Sequence, residues 1–250
     1  MNKRRLSLIS IFLILVFQLV DGRAEDTLLK LLDGTSNTPA VSGLQISTIR
    51  GGEVFENFAF GIAQTSAQGH VPLRLDHKIR VASVSKIAVA IAVLILVEEQ
   101  HFSLDEDASA LLGWKLRNPN FPHIPDTVRS LLSHTSSVRD GTRYFIAAGK
   151  GNIRDFFYPG TGLWDIGTHW AIGPKKEPGR YFSYSNLNFG LLAAIIERIS
   201  NQRFDLFLAN RIFEPLDLVA DFNPCNLSLS LIHISEPTRQ AEMACAGLGV

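Results

Sequence analysis

Three stretches of this chain carry a clear pattern of hydrophobic and polar positions, and they predict different elements. Residues 43–50 read Gly-Leu-Gln-Ile-Ser-Thr-Ile-Arg, apolar near every second position, and residues 53–61 continue the alternation through Val54, Phe58 and Phe60. Period two marks a strand with one covered face, and Gly51-Gly52 between the runs is a hairpin-turn signal. Residues 87–97 are apolar at every position. That run predicts a helix buried on all sides. Glu98-Glu99-Gln100 end it well short of the ~20 residues a membrane-spanning helix needs. From Asn188 to Ser200, the residues Leu191, Leu192, Ile195, Ile196 and Ile199 share one helical face, with Glu197 and Arg198 off it. Further amphipathic helices are predicted over 204–213, stopped before Pro215, and over 25–33, stopped at Gly34.

Between the strong patterns lies a loop-rich stretch. Residues 101–180 abound in Gly, Pro, Asn and aromatic side chains, with short helical pieces such as 127–134. Catalytic and binding groups are often carried on such loops above a rigid frame. No internal repeat is visible.

Both ends read differently from the middle. Lys3, Arg4 and Arg5 precede a 15-residue apolar stretch from Leu6 to Val20, and Gly22-Arg23-Ala24 puts small residues where a signal peptidase cuts. Residues 1–24 are therefore expected to be a signal peptide, with the chain passing across the inner membrane to the periplasm. An uncleaved segment would be the chain's one link to a membrane. At the other end, Leu227 to Glu242 resembles the conceptual translation of a sequencing adapter. Residues 227–250 are accordingly expected to be a non-native tail, which leaves 25–226 as an incomplete domain.

Composition narrows the function classes. Hydrophobic residues make up 46% and charged residues 19%, the mixture of a folded globular protein. The formal net charge is zero over the whole chain. Beyond residue 24 there are 20 basic and 23 acidic residues, a net −3. Neither figure provides the basic footprint of a nucleic-acid binder. Two cysteines, Cys225 and Cys245, are too few for a disulfide framework or a four-cysteine zinc site. Motifs for an α/β-hydrolase elbow, a zincin, a P-loop and a dinucleotide fold are absent from the sequence.

The motif that remains is Ser83-Val84-Ser85-Lys86 at the start of the apolar helix. Three-residue spacing sets Ser83 and Lys86 on one face, one turn apart. A serine hydroxyl needs a neighbouring base to attack a carbonyl, and a lysine in a partly apolar site can accept or relay a proton. Chance alone supplies roughly 0.6 such spacings in a chain of this composition, so the alternative of a capping serine and a surface lysine stays open on spacing alone. Tyr184-Ser185-Asn186 lies 101 residues further on, just before the Asn188–Ser200 helix. A tyrosine meeting the serine can act as general base when a cation such as Lys86 lowers its pKa. Asn186 could donate to a substrate carbonyl and also contact Lys86. His134 offers a competing serine–histidine pairing, although a histidine near a better base is more often a structural hydrogen-bonder.

Taken in chain order, these pieces resemble the serine β-lactamase and penicillin-binding-protein family, in its class C and esterase-like branch. The hairpin is followed by Val81-Ala82-Ser83-Val84-Ser85-Lys86 and by Leu131-Leu132-Ser133-His134-Thr135-Ser136. Next come Pro178-Gly179, Phe182-Ser183-Tyr184-Ser185-Asn186, Glu197, and Ile212-Phe213-Glu214-Pro215-Leu216. The resemblance covers most of residues 40–220. It implies an α+β, β-lactamase/DD-peptidase-like fold: an antiparallel sheet flanked by helices, plus a mostly helical subdomain from about 100 to 180. It implies Ser83 as acylated nucleophile, Lys86 as its partner, Tyr184 as general base and Asn186 as a substrate-binding group. The substrate would be a small molecule or peptide carrying an amide, β-lactam or ester bond, and no metal or organic cofactor is implied.

Two departures stand out. Ser137 occupies a position where the family usually has glycine, a change expected to alter a turn and to touch no catalytic group. No Lys-x-Gly or His-x-Gly is present anywhere in the chain. The family carries that third motif on a late strand, which also supplies one of two oxyanion N–H donors. Loss of one such donor typically costs ~10²–10³ in turnover. The C-terminal strands are thus expected to be missing and the 250-residue chain inactive, whereas the full-length protein is expected to be a serine hydrolase. A non-catalytic ligand-binding or regulatory protein on the same fold is the competing expectation, although such relatives usually lack the Ser or Lys that is present here.

Overall fold

The computed structural model describes residues 30, 33, 34, 40–66, 69–147, 149–223 and 226. They fall into two compact units divided between Arg80 and Val81. The expected signal segment, nearly all of the 25–33 helix, and the 227–250 tail lie outside the described residues.

The first unit is a three-stranded antiparallel meander of β1 (Gly43–Arg50), β2 (Glu53–Ser66) and β3 (Gly69–Pro72). The hairpin forms where the alternation predicts it, with Arg50 opposite Glu53 across the Gly51-Gly52 turn and Gly43 opposite Gly61 at the far end. The register shifts at Thr48/Ile49 and again at Ile62/Gln64. Such irregularities break strict alternation, so the run past Gly61 hides its strand character. β2 therefore extends five residues beyond the expected end, and β3, whose four residues are exposed, was not foreseen. Gly61 has a positive φ of 82°, and a β-carbon there would run into the Ser42 carbonyl oxygen. The close approach lets the Ile62 N–H donate to that oxygen at 2.6 Å.

The second unit is mainly helical. A 3₁₀ turn (Ala82–Ser85) leads directly into α1 (Lys86–Glu98), followed by α2 (Ala108–Leu112) and α3 (Val128–Leu132). After the loops come α4 (Asn186–Ser200) and α5 (Phe204–Leu208), which continues as a π-helical turn over Ala209–Phe213. Asp107 caps α2 by accepting from Ser109 N–H. Thr127 and Ser130 form a reciprocal capping box at α3. The core gathers around α4, where Leu191, Leu192, Ile195 and Ile196 have no exposed surface. Phe207 and Leu208 of α5, Leu96 of α1 and Leu131 of α3 join them.

One expectation needs correction. The apolar helix is buried on one side only: Val89, Ala92, Val93 and Leu96 are covered, but Ile87 is 62% exposed, Leu94 50% and Ile91 40%. A 100° step per residue puts these two sets on opposite faces. When every position is apolar, the sequence carries no signal for which face turns inward. Among the described residues no helix is long and apolar enough to cross a membrane.

Candidate active site

The 3₁₀ turn decides where Ser83 stands. Ala82, just before it, is a non-glycine residue at φ 44°, in the left-handed region where a β-carbon is crowded. Ser83 thus sits, exposed, on a strained bend before the helix, and Lys86 is the first residue of α1, half-buried below it.

Tyr184 and Asn186 arrive from the segment before α4, which is stitched in place by the chain around His134. The Ser183 N–H donates to the His134 carbonyl at 2.8 Å, and Gly179 N–H to the Thr135 carbonyl at 2.8 Å. His134 itself sits at φ 56° and is almost fully buried. Its ring packs on Tyr184 at 4.4 Å between centroids and on Phe189 at 5.2 Å.

The four residues singled out from sequence meet. Ser83 Oγ lies 2.8 Å from Tyr184 Oη. Lys86 Nζ donates to Ser83 Oγ at 3.1 Å and to Asn186 Oδ1 at 2.9 Å. The ammonium also stands over the Tyr184 ring, 5.0 Å from its centroid, and over the Phe189 ring at 5.6 Å. The hydrogen bonds from Lys86 and then from Ser83 hold the Tyr184 phenol below its usual value, against a smaller opposing effect of burial and of Asp140.

His134 is occupied elsewhere. Its Nδ1 faces the Ser185 N–H at 3.3 Å and the Asn188 side-chain amide at 3.2 Å. Burial first, then the charge of Lys86, lowers its pKa, so it is neutral at pH 7 and accepts both bonds at Nδ1. This makes it a support for the Tyr184 segment and the start of α4, not a partner of Ser83. Glu197 is likewise structural: Oε1 accepts from the Phe204 N–H at 2.7 Å and anchors the start of α5. Glu99, at the end of α1, is paired with Arg211.

Two side chains escaped the sequence reading. Asp140 accepts from Ser185 Oγ at 2.8 Å, from Asn186 Nδ2 at 2.8 Å and from Leu187 N–H at 3.1 Å. Asp126, fully buried, accepts from Ser137 N–H at 2.6 Å and from Ser137 Oγ at 2.9 Å. Its carboxyl is raised, chiefly by burial. Ser137 thus puts its hydroxyl onto a buried carboxylate at a site that needs no positive φ. Neither aspartate belongs to a motif, and only the fold shows their contacts. Among the described residues no cluster of three or more His, Cys, Asp or Glu is placed to hold a metal ion.

This geometry has relatives. Residues 25–223 match the beta-lactamase family. The chain belongs to that family. It is similar to Protein flp of Staphylococcus aureus (strain N315), 26% identical over 191 residues, covering 76% of this chain and 36% of that protein. It is also similar to Penicillin-binding protein 4* of Bacillus subtilis (strain 168), 27% identical over 165 residues, covering 66% of this chain and 34% of that protein. Among solved structures, it is similar to the octameric penicillin-binding protein homologue from Pyrococcus abyssi, with a TM-score of 0.58, 25% identity and coverage of 78% of this chain and 43% of that one. The chain spans about a third of the length of these two sequence relatives. Its fold is the α+β fold of the β-lactamase and DD-peptidase proteins, a family of serine hydrolases.

Proposed function

We propose that this chain is the nucleophile-bearing part of a serine hydrolase that works through an acyl-enzyme on an amide, β-lactam or ester bond. The observation that carries the proposal is the convergence on one oxygen: Ser83 Oγ is within hydrogen-bond reach of both Tyr184 Oη and Lys86 Nζ.

In the forward step Ser83 Oγ bonds to the substrate carbonyl carbon while its proton passes to the Tyr184 phenolate, which the Lys86 ammonium stabilises. The carbonyl π electrons move onto oxygen, and the Ser83 backbone N–H is proposed to donate to that charge. Collapse expels the amine, ring nitrogen or alcohol, which takes the proton from Tyr184. Water then attacks the Ser83 ester through the same base, releasing acid and free serine. Asn186, fixed beside Lys86, is proposed to bind the substrate's acyl-side amide. The proposal includes export of the chain by residues 1–24 to the periplasm, which the intact mass of the secreted protein tests.

The experiment is covalent labelling of the full-length protein and of its Ser83→Ala variant with a fluorophosphonate and a fluorescent penicillin, with the adduct located by peptide mass. A fluorophosphonate needs only an activated nucleophile. An adduct on Ser83, abolished by Ser83→Ala, is expected. A folded full-length protein that labels with neither probe would overturn the reading and leave a ligand-binding protein on the same fold. Penicillin labelling separates a β-lactam-reactive site from one limited to other acyl groups.

A further inference from the structure

We infer that Asp140 is a positioning residue for this site, acting on Lys86 through the side-chain amide of Asn186. The inference rests on the proposal that Ser83 is the nucleophile. An asparagine amide has two nearly isosteric orientations, one presenting its oxygen and the other its two N–H groups. Next to an ammonium only the first is favourable. Asp140 Oδ2 is an acceptor and takes the Asn186 Nδ2–H at 2.8 Å, so Asn186 Oδ1 must face the other way, where it accepts from Lys86 Nζ at 2.9 Å. The inverted amide would set N–H groups against the ammonium and an oxygen against the carboxylate, and both contacts would be repulsive.

The same carboxylate uses its second oxygen on the neighbours. Asp140 Oδ1 accepts from Ser185 Oγ and from Leu187 N–H, one of the free N–H groups in the first turn of α4. One side chain therefore ties down three consecutive residues immediately after Tyr184. The residue before Asp140 is held by the backbone: Arg139 N–H donates to the His169 carbonyl at 2.9 Å. The order of contacts is Asp140, Asn186, Lys86, Ser83. Without it Lys86 loses an acceptor that draws its Nζ toward Ser83, and small displacements of reacting groups cost large factors in rate.

The test uses the full-length protein, a fluorophosphonate and two variants. Asp140→Asn keeps an oxygen for Ser185 and Leu187 but cannot accept from Asn186 Nδ2 without giving up one of those bonds. It is expected to label at Ser83 at least tenfold more slowly. The acid limb of its rate–pH profile should move to lower pH, because the negative charge of Asp140 opposes ionisation of Tyr184. The exchanged pair Asp140→Asn with Asn186→Asp restores a donor at 140 and an acceptor at 186, and is expected to recover most of the lost rate. Wild-type rate and limb in Asp140→Asn would overturn the inference. So would slowing that the exchanged pair does not relieve, which would mean that Asp140 only supports the fold. A second readout needs no nucleophile: the Asn186 side-chain N–H that faces Asp140 should be protected from exchange in the ¹⁵N spectrum and lose that protection in Asp140→Asn. If the wild-type protein fails to label while this protection behaves as stated, the nucleophile reading fails and the orientation of the amide stands. Unchanged Asn186 protection in Asp140→Asn overturns the positioning role by itself.

Discussion

Tyr184→Phe isolates the proposed base, because it removes one oxygen and nothing else. Tyr184 is 47% exposed, so deleting its hydroxyl should change folding stability by no more than about 0.5 kcal/mol. The ring remains to pack against His134 and beneath Lys86. What disappears is the acceptor 2.8 Å from Ser83 Oγ. General-base catalysis contributes typically ~10²–10⁴ in rate. The Lys86 ammonium stays 3.1 Å from the same oxygen and still stabilises the charge that develops on it, so the lower end applies. We expect a loss of about 10²-fold in the rate of Ser83 labelling, equivalent to about 2.7 kcal/mol of barrier. The pH dependence gives a second handle. The active form is the phenolate, so the wild-type rate should climb with pH and level off. The climb should lie below the ordinary phenol value of about 10, since the bonds from Lys86 and Ser83 favour the ionised form. Tyr184→Phe should lose that climb. The assay is time-resolved labelling from pH 5 to 10, with melting curves as the folding control. A variant that labels within threefold of wild type and keeps the same pH profile would refute Tyr184 as base and transfer the role to Lys86.

Other outcomes follow from the supports around the site. Asp126→Ala strands two buried donors on Ser137, each costing about 1–3 kcal/mol, so urea unfolding should show a loss of about 2–6 kcal/mol. Asp126→Asn keeps an acceptor and removes a group that prefers to be neutral. The folded-state value of Asp126 is raised, so its stabilising contribution is complete below the unfolded value of about 3.9 and is lost as pH rises through the folded value. The stability of Asp126→Asn relative to wild type should therefore grow with pH. His134 shows the opposite slope: its folded-state value is lowered, so its contribution is intact above about pH 6.5 and is lost as pH falls. His134→Asn, which tolerates the positive φ, should abolish that part of the acid slope in unfolding measurements. Gly61→Ala should break the close approach to Ser42, read as faster hydrogen exchange of the Ile62 amide, with the helical unit's melting left unchanged.

The sequence alone determined the elements with a clean period and nominated the residues with motif chemistry. The β1–β2 hairpin and the amphipathic face of α4 were legible because each puts apolar residues on one side only. Ser83 and Lys86 were legible because a turn of helix fixes their separation. Tyr184 and Asn186 could be nominated as candidates, but 101 residues separate Tyr184 from Ser83, and no local pattern states that they touch. Tertiary structure decided that contact, through the backbone bonds from the His134 segment to Gly179 and Ser183. It also decided which side of the uniformly apolar α1 is covered, and it placed His134 as a support of the Tyr184 segment and not as a partner of Ser83. Asp140 and Asp126 were invisible beforehand for one reason. A carboxylate's role depends on which donors surround it, and theirs come from residues 11 to 47 positions away. Local order in a sequence can fix spacing along a helix or a strand, but hydrogen-bond partners across loops exist only once the chain has closed around them.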